Sequence, residues 1–174
     1  MLNKKMEKAL NDQVNAELYS AYLYLSMAAC FQAMNLPGLA NWMRVQTQEE
    51  MFHAVKFYDF ILQRGGSVKL AAIAAPPVAW ASPLKAFEHT LSHEEAVTAR
   101  INNLVSAATS AKDYATNNFL QWFVSEQVEE EANANELVQR LKLIGKSAEA
   151  LLLLDQELAK RVFVMPAAPA AAGA

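Results

Sequence analysis

A repeat at a fixed step constrains this chain more than any other feature. Shifting Glu17, Glu50 and His53 by 77 positions lands on Glu94, Gln127 and Glu130, and the same step carries Glu49 onto Glu126. Each half therefore reads as a carboxylate, 33 positions, then two polar side chains three residues apart. The first such pair lies in a run of helix formers with neither Gly nor Pro from Leu39 to Arg64. Positions i and i+3 of a helix share one face, so a carboxylate oxygen and an imidazole nitrogen there can reach one metal ion. A lone Glu-x-x-His arises by chance in many helical chains. Two pairs in register point instead to a repeated helix pair, in which the first helix supplies one Glu and the second an i, i+3 couple.

At 174 residues the chain is one ordinary domain, long enough to bury a core without disulfides. A net charge of -3 leaves no basic stripe to displace phosphate counterions, so nucleic acid is not an expected partner. The one cysteine, Cys30, excludes an internal disulfide and a four-cysteine centre within one chain; in its apolar helical run it reads as a small buried hydrophobe. The opening Met1-Leu2-Asn3-Lys4-Lys5 lacks an apolar core followed by a cleavage site, and no apolar run approaches ~18 residues. A soluble cytoplasmic protein with no membrane partner is expected.

Apolar periodicity predicts an all-α fold of four long helices and a short fifth. The first, over about residues 3–34, turns Leu10, Gln13, Glu17, Ala21, Tyr24, Ala28 and Phe31 inward. The turn Asn35-Leu36-Pro37-Gly38 should end it, with Pro breaking the ladder and Gly taking positive φ. The second helix carries Leu39, Met43, Gln46, Glu50, His53, Phe57 and Phe60 to Gly65-Gly66, and so short a turn makes the pair antiparallel. Residues 67–81 have no sustained period, and Pro76-Pro77 forbids a continuous helix. A helix at ~1.5 Å per residue is roughly 40 Å long here, and about 17 extended residues reach roughly 55 Å, so this crossover can span the bundle.

The third helix is capped by Ser82 with Pro83 in its first position, and its stripe is Phe87, Thr90, Glu94, Val97, Ile101, Leu104 and Ala108. After a polar break at residues 109–113, the fourth runs over about residues 114–144 with Leu120, Phe123, Gln127, Glu130, Ala134, Leu137 and Leu141 inward, and Gly145 ends it. The fifth, at about residues 147–161, has Ala148, Leu151, Leu152, Asp155 and Leu158 to pack on the bundle end or another subunit. Domain boundaries follow at 1–161 and a Pro/Ala-rich tail at 162–174, whose residues 166–174 have nothing to bury and should be disordered.

Every long helix thus breaks its core stripe near the middle with ligand-type side chains. Burying four ionised carboxylates costs several kcal/mol per ion unless cations neutralise them. Hard carboxylate oxygens with one imidazole suit iron or manganese, with zinc competing. Two cations bridged by a carboxylate sit about 3.5–4 Å apart and can share the two electrons that turn dioxygen into peroxide.

On these residues the chain resembles the bacterial non-haem ferritins over about residues 1–161. The supporting stretches are Asn15-Ala16-Glu17-Leu18-Tyr19-Ser20-Ala21-Tyr22-Leu23-Tyr24, Glu49-Glu50-Met51-Phe52-His53 and Glu126-Gln127-Val128-Glu129-Glu130-Glu131. The resemblance implies a ferritin-like four-helix bundle that oxidises iron(II) with dioxygen or hydrogen peroxide and stores the product as mineral inside a shell of 24 identical subunits. It implies that Glu17, Glu50 and His53 hold one iron, and that Glu50 bridges to a second held by Glu94 and Glu130. Gln127 would hydrogen-bond or ligate weakly beside them. Glu49, Glu126, Glu129 and Glu130 resemble a third iron site, with plain surface charge the alternative reading of the first three. Tyr24, two turns past Glu17, is a candidate electron donor or hydrogen bonder to the centre, or a core tyrosine. His89 and His93 read as polar surface residues, His93 lying about 100° round the helix from Glu94.

Two other families stay in view. Haem-containing bacterioferritins are similar but carry Glu-x-x-His in the second half too, where this chain has Gln127-x-x-Glu130. Met51 follows the bridging Glu50 as their haem-ligating methionine does; as outward-facing interface packing it implies no haem. A di-iron oxidase or peroxidase of the rubrerythrin kind could use the same bundle, yet such peroxidases typically add cysteine pairs, and one cysteine cannot supply them.

Overall fold

Residues 2–165 are described by a computed structural model, and among them the chain forms five helices and no strand. They are α1 (Lys4–Ala33), α2 (Pro37–Gln63), α3 (Pro83–Ser110), α4 (Tyr114–Ile144) and α5 (Ala148–Leu158). Four helix starts follow from short polar side chains that take an otherwise orphaned backbone N–H. Asn3 accepts from Met6, Ser82 from Lys85, Asp113 from Thr116 and Ser147 from Ala150. The expected disorder of residues 166–174 lies outside the described residues.

Three element ends differ from the sequence expectation. Pro37 and Gly38 open α2 instead of forming the stop, because proline suits the first helical position; Asn35, at φ 59°, makes the left-handed turn assigned to glycine. Gly38 is required for a different reason, since a Cβ there would lie 1.6 Å from the Asp155 carbonyl oxygen of α5. Finally, α5 ends at Leu158, not Arg161, and buries Leu154, Asp155 and Leu158 while Leu152 is exposed.

The predicted stripes of α1, α3 and α4 are buried throughout, and that of α2 is buried except for half-buried Phe60, which stacks on Phe119 at 3.8 Å between ring centroids. α1 packs along α2 and α3 along α4, and α5 seats on α2. The crossover, residues 64–82, is tied along α1 by its backbone. Asn11 donates to the Ser67 carbonyl and accepts from the Lys69 N–H, Asn15 donates to the Ala72 carbonyl, and Ser26 donates to the Pro77 carbonyl. Cys30 is half-buried, not fully enclosed.

The apolar core divides in two. One cluster centres on Leu23, Met27, Phe31, Met43, Phe87 and Leu141, the other on Leu10, Phe57, Ile61, Ile101, Leu120 and Phe123. On every long helix the ligand-type residues fall between the positions given to these clusters, so the bundle carries a polar layer at mid-height. No described helix is long and apolar enough to cross a membrane.

Candidate metal centre

Glu17 on α1, Glu50 and His53 on α2, Glu94 on α3, and Gln127 and Glu130 on α4 are all buried. Glu17, Glu50 and His53 each bring a ligand atom within 4.8 Å of the other two. His53 Nδ1 lies 3.5 Å from Glu50 Oε2, and its ring meets Trp122 and Phe123 edge-on at 5.4 and 5.8 Å.

Glu94 and Glu130 stand outside that close trio, each held by other groups. Glu94 Oε1 accepts from the Tyr24 hydroxyl and Oε2 from Gln127 Nε2 at 3.3 Å, while Gln127 also donates to Thr98 Oγ1. Glu130 Oε2 accepts from Gln46 Nε2 at 2.8 Å. Gln13 Nε2 likewise donates to Glu17 Oε1 at 2.8 Å. Thus three carboxylates each receive an amide donor. Gln13 and Gln46 appear in the sequence only as members of the core stripes; the available signal is a glutamine on that stripe one turn before a glutamate.

The electrostatics are those of acids crowded in a dry layer. Burial, then the charges of Glu94, Glu17 and Glu130, push Glu50 well above the usual carboxyl range. Burial, then Glu130, raises Glu94 to about 8. Burial lowers His53, which favours the neutral, ligating imidazole. Burial and the neighbouring Glu94 and Glu50 charges raise Tyr24, keeping its phenol a donor. Glu17 Oε2, Glu50 Oε2 and Gln46 Oε1 are buried with no hydrogen-bond partner. Oxygen acceptors left bare beside a neutral imidazole form a donor set that fits a hard or borderline dication such as iron(II).

A family model for the ferritin-like domain matches residues 7–144. The chain belongs to the ferritin family. It is 42% identical over 161 residues to a bacterial non-heme ferritin of Bacteroides fragilis, covering 92% of this chain and 100% of that one. A bacterial non-heme ferritin of Staphylococcus aureus is 42% identical over 163 residues, 94% of this chain and 98% of its own. Among solved structures, an open-pore ferritin from the hyperthermophilic archaeon Archaeoglobus fulgidus superposes with a TM-score of 0.93 at 57% identity, covering 93% of this chain and 100% of that one. A closed form of the same ferritin, engineered by site-directed mutagenesis, gives 0.94 at 58% identity, covering 94% and 100%.

In this ferritin chain a second acidic cluster adjoins the first. Glu49, Glu126, Glu129 and Glu130 line a cleft of about 230 Å³ with His53, Arg161 and Phe163. Glu126 is half-buried and Glu129 exposed. Glu49 does not stand free, because Arg161 Nη2 reaches its Oε2 at 2.7 Å. Burial raises Glu49 to about 7 against the lowering pull of that guanidinium. Arg161 lies over the Trp42 ring at 4.6 Å, and its carbonyl accepts from Asn41 at 2.9 Å. Contacts with the bundle thus continue past the end of α5 to Arg161, a link that sequence spacing gives no means to foresee.

The histidines of α3 correct the surface reading. His93 is half-buried, bonds to Ser20 Oγ at 2.8 Å and packs against Tyr19 and Tyr24; burial lowers it to about 4. His89 accepts from Trp80 Nε1 at 3.0 Å. Met51 points outward, 45% exposed, on the side of α2 that also exposes Val55, Tyr58 and Leu62.

Proposed function

We propose that this ferritin chain oxidises iron(II) pairwise and stores iron(III) as a mineral inside a hollow homo-oligomer of 24 subunits in the cytoplasm, without haem. The single observation carrying this reading is the buried layer in which Glu17 Oε2 and Glu50 Oε2 lack partners beside a neutral His53. A buried acceptor without a partner costs about 1–3 kcal/mol, more when charged, so such a layer is tolerable when cations complete it.

In this reading iron is the substrate. Glu17, Glu50 and His53 take one iron(II); Glu50 spans to a second at Glu94 and Glu130, with Gln127 as donor or weak ligand. Each iron gives up one electron. Dioxygen accepts the two electrons with two protons and leaves as hydrogen peroxide, or hydrogen peroxide accepts them with two protons and leaves as two waters. Tyr24 holds Glu94 by its hydroxyl, and where one iron alone is present it would be the residue to supply the second electron to dioxygen. Iron at the Glu49, Glu126, Glu129 and Glu130 cleft would meet Arg161 already paired with one oxygen of Glu49. Residues 1–161 make up the working domain, and the exposed apolar side chains of α1 and α2, Tyr22, Leu25, Met51, Val55, Tyr58 and Leu62, support burial against further subunits.

Stopped-flow iron(II) oxidation with oxygen uptake tests the assignment. Glu50→Ala and His53→Ala should slow the fast phase by more than the ~10–100-fold that loss of an outer-shell partner costs, with particle size unchanged. Parent rates in both variants would remove the site from these residues.

A further inference from the structure

Gln13 sits one turn before Glu17 on α1 and is part of a directed chain that begins at the surface. Arg100 on α3 donates through Nε to Gln13 Oε1 at 3.3 Å and through Nη2 to the Asp12 carbonyl at 3.1 Å. Gln13 Nε2 then donates to Glu17 Oε1 at 2.8 Å. A guanidinium has donors only. Its contact therefore fixes which end of the Gln13 carboxamide faces which way: oxygen to Arg100, NH₂ to Glu17. Glu17 Oε1 is engaged by this donor, and Oε2 is left bare in the layer. Gln13 is only 2% exposed, so an amide turned the wrong way would set its oxygen against a carboxylate oxygen with little access to water between them.

Gln46 provides an internal contrast. It makes the same kind of donation, to Glu130, but its own oxygen has no partner to hold it. Of these two arms, it is the Glu17 arm that is locked from outside.

We propose that Gln13 is a positioning residue for cation binding at Glu17, and that Arg100 acts through it by setting the orientation of its amide. This rests on reading Glu17, Glu50 and His53 as a cation site. Groups that orient a ligand from behind are worth ~10–100-fold in metal affinity.

The test is a cobalt(II) titration of the metal-free, full-length protein, followed by visible ligand-field absorption. Gln13→Leu should weaken cobalt(II) binding ~10–100-fold and shift the absorption bands, with helix content and particle size unchanged. Arg100→Leu should give a smaller loss, Arg100→Lys, which keeps a donor, should recover most of it, and Arg100→Leu should cost nothing further in the Gln13→Leu background. Should Gln13→Leu fail to assemble, Gln13→Met removes the same donor with a closer shape. Parent affinity and spectrum in the Gln13 variant, or losses at the two positions that simply add, overturn the proposal. Glu50→Ala separates the two layers of argument. If it also leaves cobalt(II) binding at parent strength, the cation-site reading itself fails; if it abolishes binding while the Gln13 variant binds with parent affinity, only the positioning role fails.

Discussion

A buried acid needs donors when no cation is there to neutralise it, and Glu94 has two, the Tyr24 hydroxyl and the Gln127 amide. Tyr24→Phe removes one of them from a site with little water. Chemical denaturation of the metal-free protein should show a loss of about 1–3 kcal/mol. The crowded acids also give a pH dependence whose sign is fixed. With Glu94 raised from 4.5 to about 8 and Glu50 raised as well, the folded state holds protons that the unfolded state has released. That contribution is complete below the ordinary carboxyl value and is lost as pH rises through about 8. His53 and His93 are lowered from 6.5 and act in the opposite sense, but only below that value. Between pH 6.5 and 8 the metal-free protein should therefore lose thermal stability with rising pH, and saturating cobalt(II) should flatten the slope; calorimetry across that range checks both. Residue by residue, the buried position of Glu17, Glu50, His53, Glu94, Gln127 and Glu130 was legible because helical phase fixes the inward face. The roles of Gln13 and Gln46 were not, since a donor is defined by its partner's place, and His93 was misread because one helix's phase says nothing of α1 closing over its other side.

Helix ends show the same limit at the scale of elements. Ser82 with Pro83 was readable because an N-cap and a proline at the first helical position are local chemistry. The start of α2 was not, because its capping group comes from 116 residues away. Leu36 offers no side-chain acceptor, and Asp155 Oδ1 on α5 takes the Leu39 N–H at 2.9 Å instead. A carboxylate at a helix N-terminus also faces the positive end of the helix dipole. Gly38 lets α5 approach closely enough to do this. Gly38→Ala should push the two helices apart and destabilise the protein by about 1–3 kcal/mol, as overpacking does. Thermal unfolding measures the loss, and hydrogen exchange should become faster in residues 148–158 first; unchanged protection there would mean that the close approach is not what seats α5.

For the whole molecule, the two apolar clusters secure either end of the bundle, so the costly layer between them is held by packing it does not itself provide. Long helices make this division possible, since each has turns enough to contribute to both clusters and still present a ligand between them. The crossover joins the halves differently. Asn11, Asn15 and Ser26 grip it only through main-chain groups, while Leu70 and Val78 stand 69% and 81% exposed. The protomer thus fixes the course of this strap without reading most of its side chains. Most of these side chains are thus exempt from the packing that holds the fold, so substitutions along this ribbon can change what the surface offers a neighbour without disturbing the buried layer.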